Sequence, residues 1–174
     1  MEPFSPSFAT RAGRIVLMTL PFLVGVFCVL LSFVPVGMIF GTSVMPAFGL
    51  MAVYYWAVTR PEVFPPYAIL AVGLLFDLLS AGPIGLWALV YTVVYGVVVS
   101  QRLLFFGRTF FVFWIGFAGA CLMAGVLAWG VGSIYFARIL SPGQLVTQLM
   151  VTIIFYPLFV IFFSLVQRRL APQA

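Results

Sequence analysis

The chain has 174 residues, of which 65% are hydrophobic and 6% charged, and its formal net charge is +5. Its arginines are spread in ones and twos instead of gathering on one face, so the charge speaks for orientation in a membrane and against nucleic acid as a partner. The absence of histidine and lysine excludes histidine-assisted serine or cysteine nucleophiles, lysine Schiff bases and zinc held by histidine.

A helix needs ~20 apolar residues to cross ~30 Å of hydrocarbon. The sequence offers six apolar segments, at residues 15–34, 44–58, 65–80, 84–100, 110–131 and 145–166, with little left over. The expectation is an all-α integral membrane protein, one polytopic domain over residues 1–174 with six transmembrane helices and no separate soluble unit.

Glu2, Arg11 and Arg14 precede the first segment. That segment is longer than the apolar region of a signal peptide and runs into Pro35 and Gly37 without an A-x-A cleavage site, so it reads as a retained first span. Cys28 here, and Cys121 later, sit in apolar surroundings as small hydrophobes.

The second and third segments are short; they tilt little, thin the bilayer, or sit inside the bundle. Pro46 and the Pro65–Pro66 pair mark helix starts, where the missing N–H has no intrahelical partner to lose. Tyr54, Tyr55 and Trp56 end the second segment just before Arg60, Pro61 and Glu62. Aromatic residues at that depth form an interfacial belt, with a contact patch for a partner as the other reading.

Asp77 is the only acid within an apolar segment. An ionisable side chain in a membrane is a functional-site hypothesis by default. Three readings stand side by side: a cap on the free N–H groups at the start of the fourth helix, an ion pair with Arg138, or a direct role in binding a partner or ligand. With no second acid in a span, a carboxylate dyad is not available, and no glycine loop followed by Lys cradles a phosphate. No metal, cofactor or catalytic residue is expected.

In the fifth segment Gly116, Ala120, Ala124, Ala128 and Gly132 recur every fourth residue. Such a row lets another helix approach closely, either within this chain or from another protein. In the last segment Gln144 and Gln148 share one face, and Pro157 should free the Ile153 carbonyl and kink the helix unless a neighbour compensates. With six spans and both termini cytoplasmic, Arg11, Arg14, Arg60, Arg102, Arg108, Arg168 and Arg169 fall inside and Arg138 alone outside, as the positive-inside rule asks.

Pro46, Tyr55-Trp56, Arg60-Pro61 and Pro65, followed by Gly73-Leu74-x-x-Asp77-Leu78-Leu79-x-x-Gly82-Pro83-x-Gly85, resemble the bacterial rod shape-determining protein MreD family over residues 45–90. The rest of the chain is similar in length and span layout only. The resemblance implies a multi-pass protein of the bacterial cytoplasmic membrane, part of the lateral wall-elongation machinery. The partners it implies are MreC, the actin-like MreB, the glycosyltransferase RodA and a class B penicillin-binding protein. It transfers no catalytic residue; what carries over is the motif itself, Pro46, Tyr55, Trp56, Arg60, Pro61, Gly73, Asp77, Gly82, Pro83 and Gly85. It also implies a likeness to the six-helix substrate-binding subunits of vitamin transporters.

Two functions follow as expectations. One is a non-enzymatic scaffold that binds MreC and the peptidoglycan synthase, with the Gly116–Gly132 row as a close-packed face. The other is a membrane binder or transporter subunit for a small molecule or lipid intermediate, with Asp77, Arg138, Gln144 and Gln148 lining an outward pocket.

Overall fold

A computed structural model describes residues 8–33, 46–104 and 109–170. Val34 and Val44 at the edges of the first two expected spans, Pro35 and Gly37 after the first, and Glu2 and Arg108, lie outside the described residues. So do the side chains of Arg11, Arg14, Arg168 and Arg169. The described residues form six α-helices and no strand: α1 (Phe8–Leu31), α2 (Phe48–Thr59), α3 (Pro66–Ser80), α4 (Leu86–Ser100), α5 (Phe110–Tyr135) and α6 (Gly143–Leu170). A single 3₁₀ turn, Arg102–Leu104, follows α4.

Two stretches, Phe110–Tyr135 and Gly143–Leu165, are long and apolar enough to cross a membrane, each with a mean hydropathy of 2.2 over its best window. Their outward sides remain apolar, with Ile115, Leu122 and Val126 on α5 and Ile154, Leu158 and Ile161 on α6 all exposed. Apolar surface of that extent suits lipid and not water.

The short α2 is the axle of the fold. Its 12 residues rise only about 18 Å, and Phe48 to Ala57 are all buried. It is hydrophobic all round because it has no free side. α1, α3, α4, α5 and α6 follow one another in contact around it, each touching α2 as well. Between α1 and α6 the ring leaves an all-apolar groove of about 420 Å³ floored by Cys28 and Phe159.

In so apolar a setting, several serine and threonine hydroxyls donate to the carbonyl one turn back. Ser32 donates to the Cys28 carbonyl at 3.0 Å, Thr59 to Tyr55 at 2.7 Å, and Thr92 to Ala88 at 2.7 Å. Thr152 does more: it donates to the Gln148 carbonyl at 2.6 Å and accepts the Ala47 N–H at 2.9 Å, so α6 caps the entry to α2 beside the buried Pro46.

The small-residue row on α5 faces inward. Ala120, Ala124 and Ala128 are buried, Ala124 completely, together with Gly132, while Gly116 is half-buried. Gly132 lies against Leu86 of α4, and Gly116 and Ala120 border a space shared with Tyr54 of α2 and Val97 of α4. Gly125, one position on from Ala124, receives Leu149 and Leu145 of α6. The row is therefore packed by this chain's own helices, one of the two kinds of partner it allowed.

Pro157 sits inside α6 and cannot donate to Ile153. The indole N–H of Trp114 on α5 takes that place, 3.0 Å from the Ile153 carbonyl. A neighbouring helix thus supplies the donor that proline lacks, and α6 stays one helix from Gly143 to Leu170.

Candidate functional site

The residues of the Gly-to-Asp motif converge on the hairpin of α3 and α4. Gly73 and Asp77 are one helical turn apart and face the start of α4 together. A Cβ on Gly73 would meet the Ala88 Cα, and it would stand 2.8 Å from the Ala88 nitrogen and 3.0 Å from the Trp87 carbonyl oxygen. Only a residue with no side chain lets the two backbones come this near.

One turn on, Asp77 is 1% exposed and its carboxylate is filled by backbone donors. Oδ2 accepts from the N–H groups of Gly85 at 2.9 Å and Ala88 at 3.2 Å, and Oδ1 from that of Trp87 at 2.9 Å. These are amides that the first turn of α4 leaves without intrahelical partners. The carboxylate closes them, and its negative charge stands at the positive end of the α4 dipole.

The turn between the two helices is shaped for this cap. Ala81 ends α3 in the left-handed region at φ 51°, and Gly85 opens α4 at φ +97°, a conformation L side chains rarely adopt. Leu86 donates to the Pro83 carbonyl at 3.2 Å, and the Ser80 hydroxyl to that of Asp77 at 3.2 Å. Gly82 is exposed in the turn.

Arg138 does not pair with Asp77. Among the described residues the ion pair present is Arg102 with Glu62, at 3.0 Å. Arg138 is exposed beyond the end of α5, and the Asp77 oxygens face α4. Asp77 and Arg138 are also absent from the wall of the cavity that Gln144 and Gln148 do line.

That cavity, about 470 Å³, opens at the same end of the bundle, between the last turns of α1, α3 and α5 and the first turns of α6. Phe76 lines it, whereas the carboxylate of Asp77, the next residue, is engaged by the start of α4. The rings of Phe33 and Phe76 meet at 5.1 Å, and Trp129 closes a further side.

At the opposite end, Tyr54, Tyr55 and Trp56 are 0%, 6% and 2% exposed. They are core residues, not the interfacial belt their place in the sequence suggested. Tyr54 donates to the Phe113 carbonyl at 3.1 Å and meets Phe117 edge-on, and Tyr55 stacks on Phe163 at 5.0 Å. Arg60 is half-exposed, and the Pro61 carbonyl accepts from the Tyr95 hydroxyl at 3.2 Å. Glu62's own backbone N–H and then Arg102 hold its carboxyl below the ordinary carboxylate range.

Trp114, Thr152 and Tyr95 carry structural hydrogen bonds that the sequence did not single out. For Trp114 alone there was a signal, the carbonyl that Pro157 was bound to free. The buried Tyr91 hydroxyl and Trp56 indole nitrogen have no partner among the described residues. Cys28 and Cys121 are buried free thiols, and among the described residues no three His, Cys, Asp or Glu side chains group as metal ligands do. No protein-family model, curated protein or solved structure matches this chain.

Proposed function

We propose that this chain is a non-enzymatic scaffold of the bacterial cytoplasmic membrane, a relative of MreD that holds the wall-elongation complex together. In this reading the six helices all enter the bilayer, both termini are cytoplasmic, and the α3–α4 turn faces outward. MreC and the peptidoglycan synthase, RodA with its class B penicillin-binding protein, are the partners, with MreB beneath them.

The observation that carries the reading is the state of Asp77. The one acid of the apolar segments has both oxygens engaged by backbone N–H groups, and Gly73 and Gly85 serve the same hairpin. Three residues of the motif that carries the resemblance, Gly73, Asp77 and Gly85, thus serve the architecture of the hairpin, which supports a scaffold. The layout of charge agrees, since Arg60, Glu62 and Arg102 gather at one end of the α3–α4 hairpin and Arg138 belongs to the other.

Because the small-residue row is covered, partner helices meet the outer apolar faces instead. The test is purification of a tagged chain from native membranes in mild detergent, with mass spectrometry of what accompanies it. Recovery of MreC and the synthase is the expected result. Recovery of ATPase transporter subunits, with neither of those proteins, would overturn the scaffold and favour the transporter subunit.

A further inference from the structure

The cavity that Gln144 and Gln148 line is built from two kinds of surface. The rings of Phe33, Phe76 and Trp129, with the aliphatic Ala128, Leu140 and Leu145, form its apolar walls, and four neutral polar side chains, Ser32, Ser141, Gln144 and Gln148, reach it from just past α1 and from around the start of α6. Among the described residues, no charged side chain lines it. At about 470 Å³ it lies within the ~300–1,000 Å³ of ordinary ligand sites, which likewise combine apolar walls with a few polar groups.

The hydrogen-bonding capacity left over is specific. Ser32 has already given its hydrogen to the Cys28 carbonyl at 3.0 Å, so toward the cavity it can only accept. Trp129 has given its indole N–H to the Leu140 carbonyl at 2.8 Å and offers only its ring. The side chains of Gln144 and Gln148 bond no other described residue, and each keeps both a carbonyl acceptor and an amide donor. The occupant must therefore carry donors and acceptors together, present apolar faces to rings, and bear no charge that needs a counter-ion.

We infer that this cavity binds a neutral sugar, whose hydroxyls meet Gln144, Gln148 and Ser32 while its C–H faces lie on the aromatic walls. A phosphate or carboxylate would meet no cation among the described residues of the wall, and its desolvation would go uncompensated. A purely aliphatic chain would leave the amides unsatisfied. The sugar is either free or the headgroup of a glycolipid whose chains remain in the bilayer. Asp77 has no part in the site, and the inference does not depend on the scaffold reading.

The experiment uses the full chain in a polyoxyethylene detergent, free of glycosides, titrated with octyl β-glucoside, with glucose, and with octyl sulfate as the charged control, and read by tryptophan fluorescence. A saturable response to octyl β-glucoside is expected, weakened at least tenfold in the Gln144→Leu/Gln148→Leu variant and lost as a signal in Trp129→Phe. Neither glutamine side chain holds the fold, and an unchanged melting temperature verifies this. Glucose binding as well as the glucoside identifies a free sugar; response to the glucoside alone identifies a glycolipid head. No saturable response to either sugar probe overturns the inference, as does undiminished affinity in the double glutamine variant. In the wild-type protein, octyl sulfate competing as well as the glucoside would overturn it too.

Discussion

Trp114 of α5 donates its indole N–H to the Ile153 carbonyl of α6 at 3.0 Å, the carbonyl that Pro157 leaves without a donor four residues on. The bond ties two helices at the point where one of them is weakest. Trp114→Phe should lower the melting temperature in detergent, by a loss of about 1–3 kcal/mol for an acceptor left unsatisfied in an apolar interior. In a Pro157→Ala background, residue 157 regains its N–H, and the same tryptophan substitution should cost measurably less. Equal costs in the two backgrounds would show that the bond has no link to the proline.

Gly73 and Gly85 guard the α3–α4 hairpin for different reasons, and alanine separates them. At Gly73 the new methyl group meets the Ala88 backbone, which cannot rotate away, so Gly73→Ala should force the helices apart and destabilise by about 1–3 kcal/mol. At Gly85 nothing lies within 4 Å of the added Cβ, and the cost is that of holding Ala at φ +97°. That strain is of order 1–3 kcal/mol. Thermal unfolding measures both; cysteine cross-linking of α3 to α4 should be perturbed by the first and little altered by the second.

Ala124 is completely buried in the row that α5 presents to its own neighbours. Ala124→Leu should therefore reduce the amount of folded protein itself, seen as a loss of monodisperse material in size-exclusion chromatography. Normal protein that has lost only its partners would mean that the row faces outward.

Glu62 and Arg102 form an exposed pair, their side chains 70% and 43% accessible, so screening by water and salt keeps its contribution to about 0.2–1 kcal/mol. Glu62's folded-state carboxyl titrates below its unfolded one, so the contribution is present at neutral pH and disappears as pH falls through the acid range. Glu62→Gln should remove this acid-dependent component while shifting the neutral-pH melting temperature only slightly. A large neutral-pH effect would assign Glu62 another role.

Much of the helical layout is legible from periodic apolar runs and proline. Residues 65–80, 84–100 and 110–131 correspond closely to α3, α4 and the body of α5, because Pro65–Pro66 and the Gly–Pro turn mark their limits. What escapes sequence is depth. Tyr54, Tyr55 and Trp56 beside Arg60 look like an interface, yet α2 lies at the centre and five other helices cover it. The Asp77 cap was one of three open readings, and only the close approach of α4 at Gly73, a tertiary fact, brings three N–H groups to the carboxylate ahead of Arg138. Gln144 and Gln148 stood out as neighbours on one face, but the aromatic walls opposite them come from α1, α3 and α5, far away in sequence.

On the scaffold reading, Asp77 holds the α3–α4 hairpin and touches no partner. Asparagine in its place keeps the shape but turns one acceptor into a donor facing backbone N–H groups. Asp77→Asn should lose about 1.5–3 kcal/mol, the range for hydrogen bonds to a charged group. The direct measurement follows, on one preparation of wild type and Asp77→Asn, the fraction folded across a temperature series and the recovery with it of MreC, the partner proposed above. The account predicts that the variant melts earlier and that MreC per folded molecule is unchanged at every temperature. A variant that melts like the wild type, yet binds less MreC per folded molecule, would contradict it and make Asp77 a contact residue.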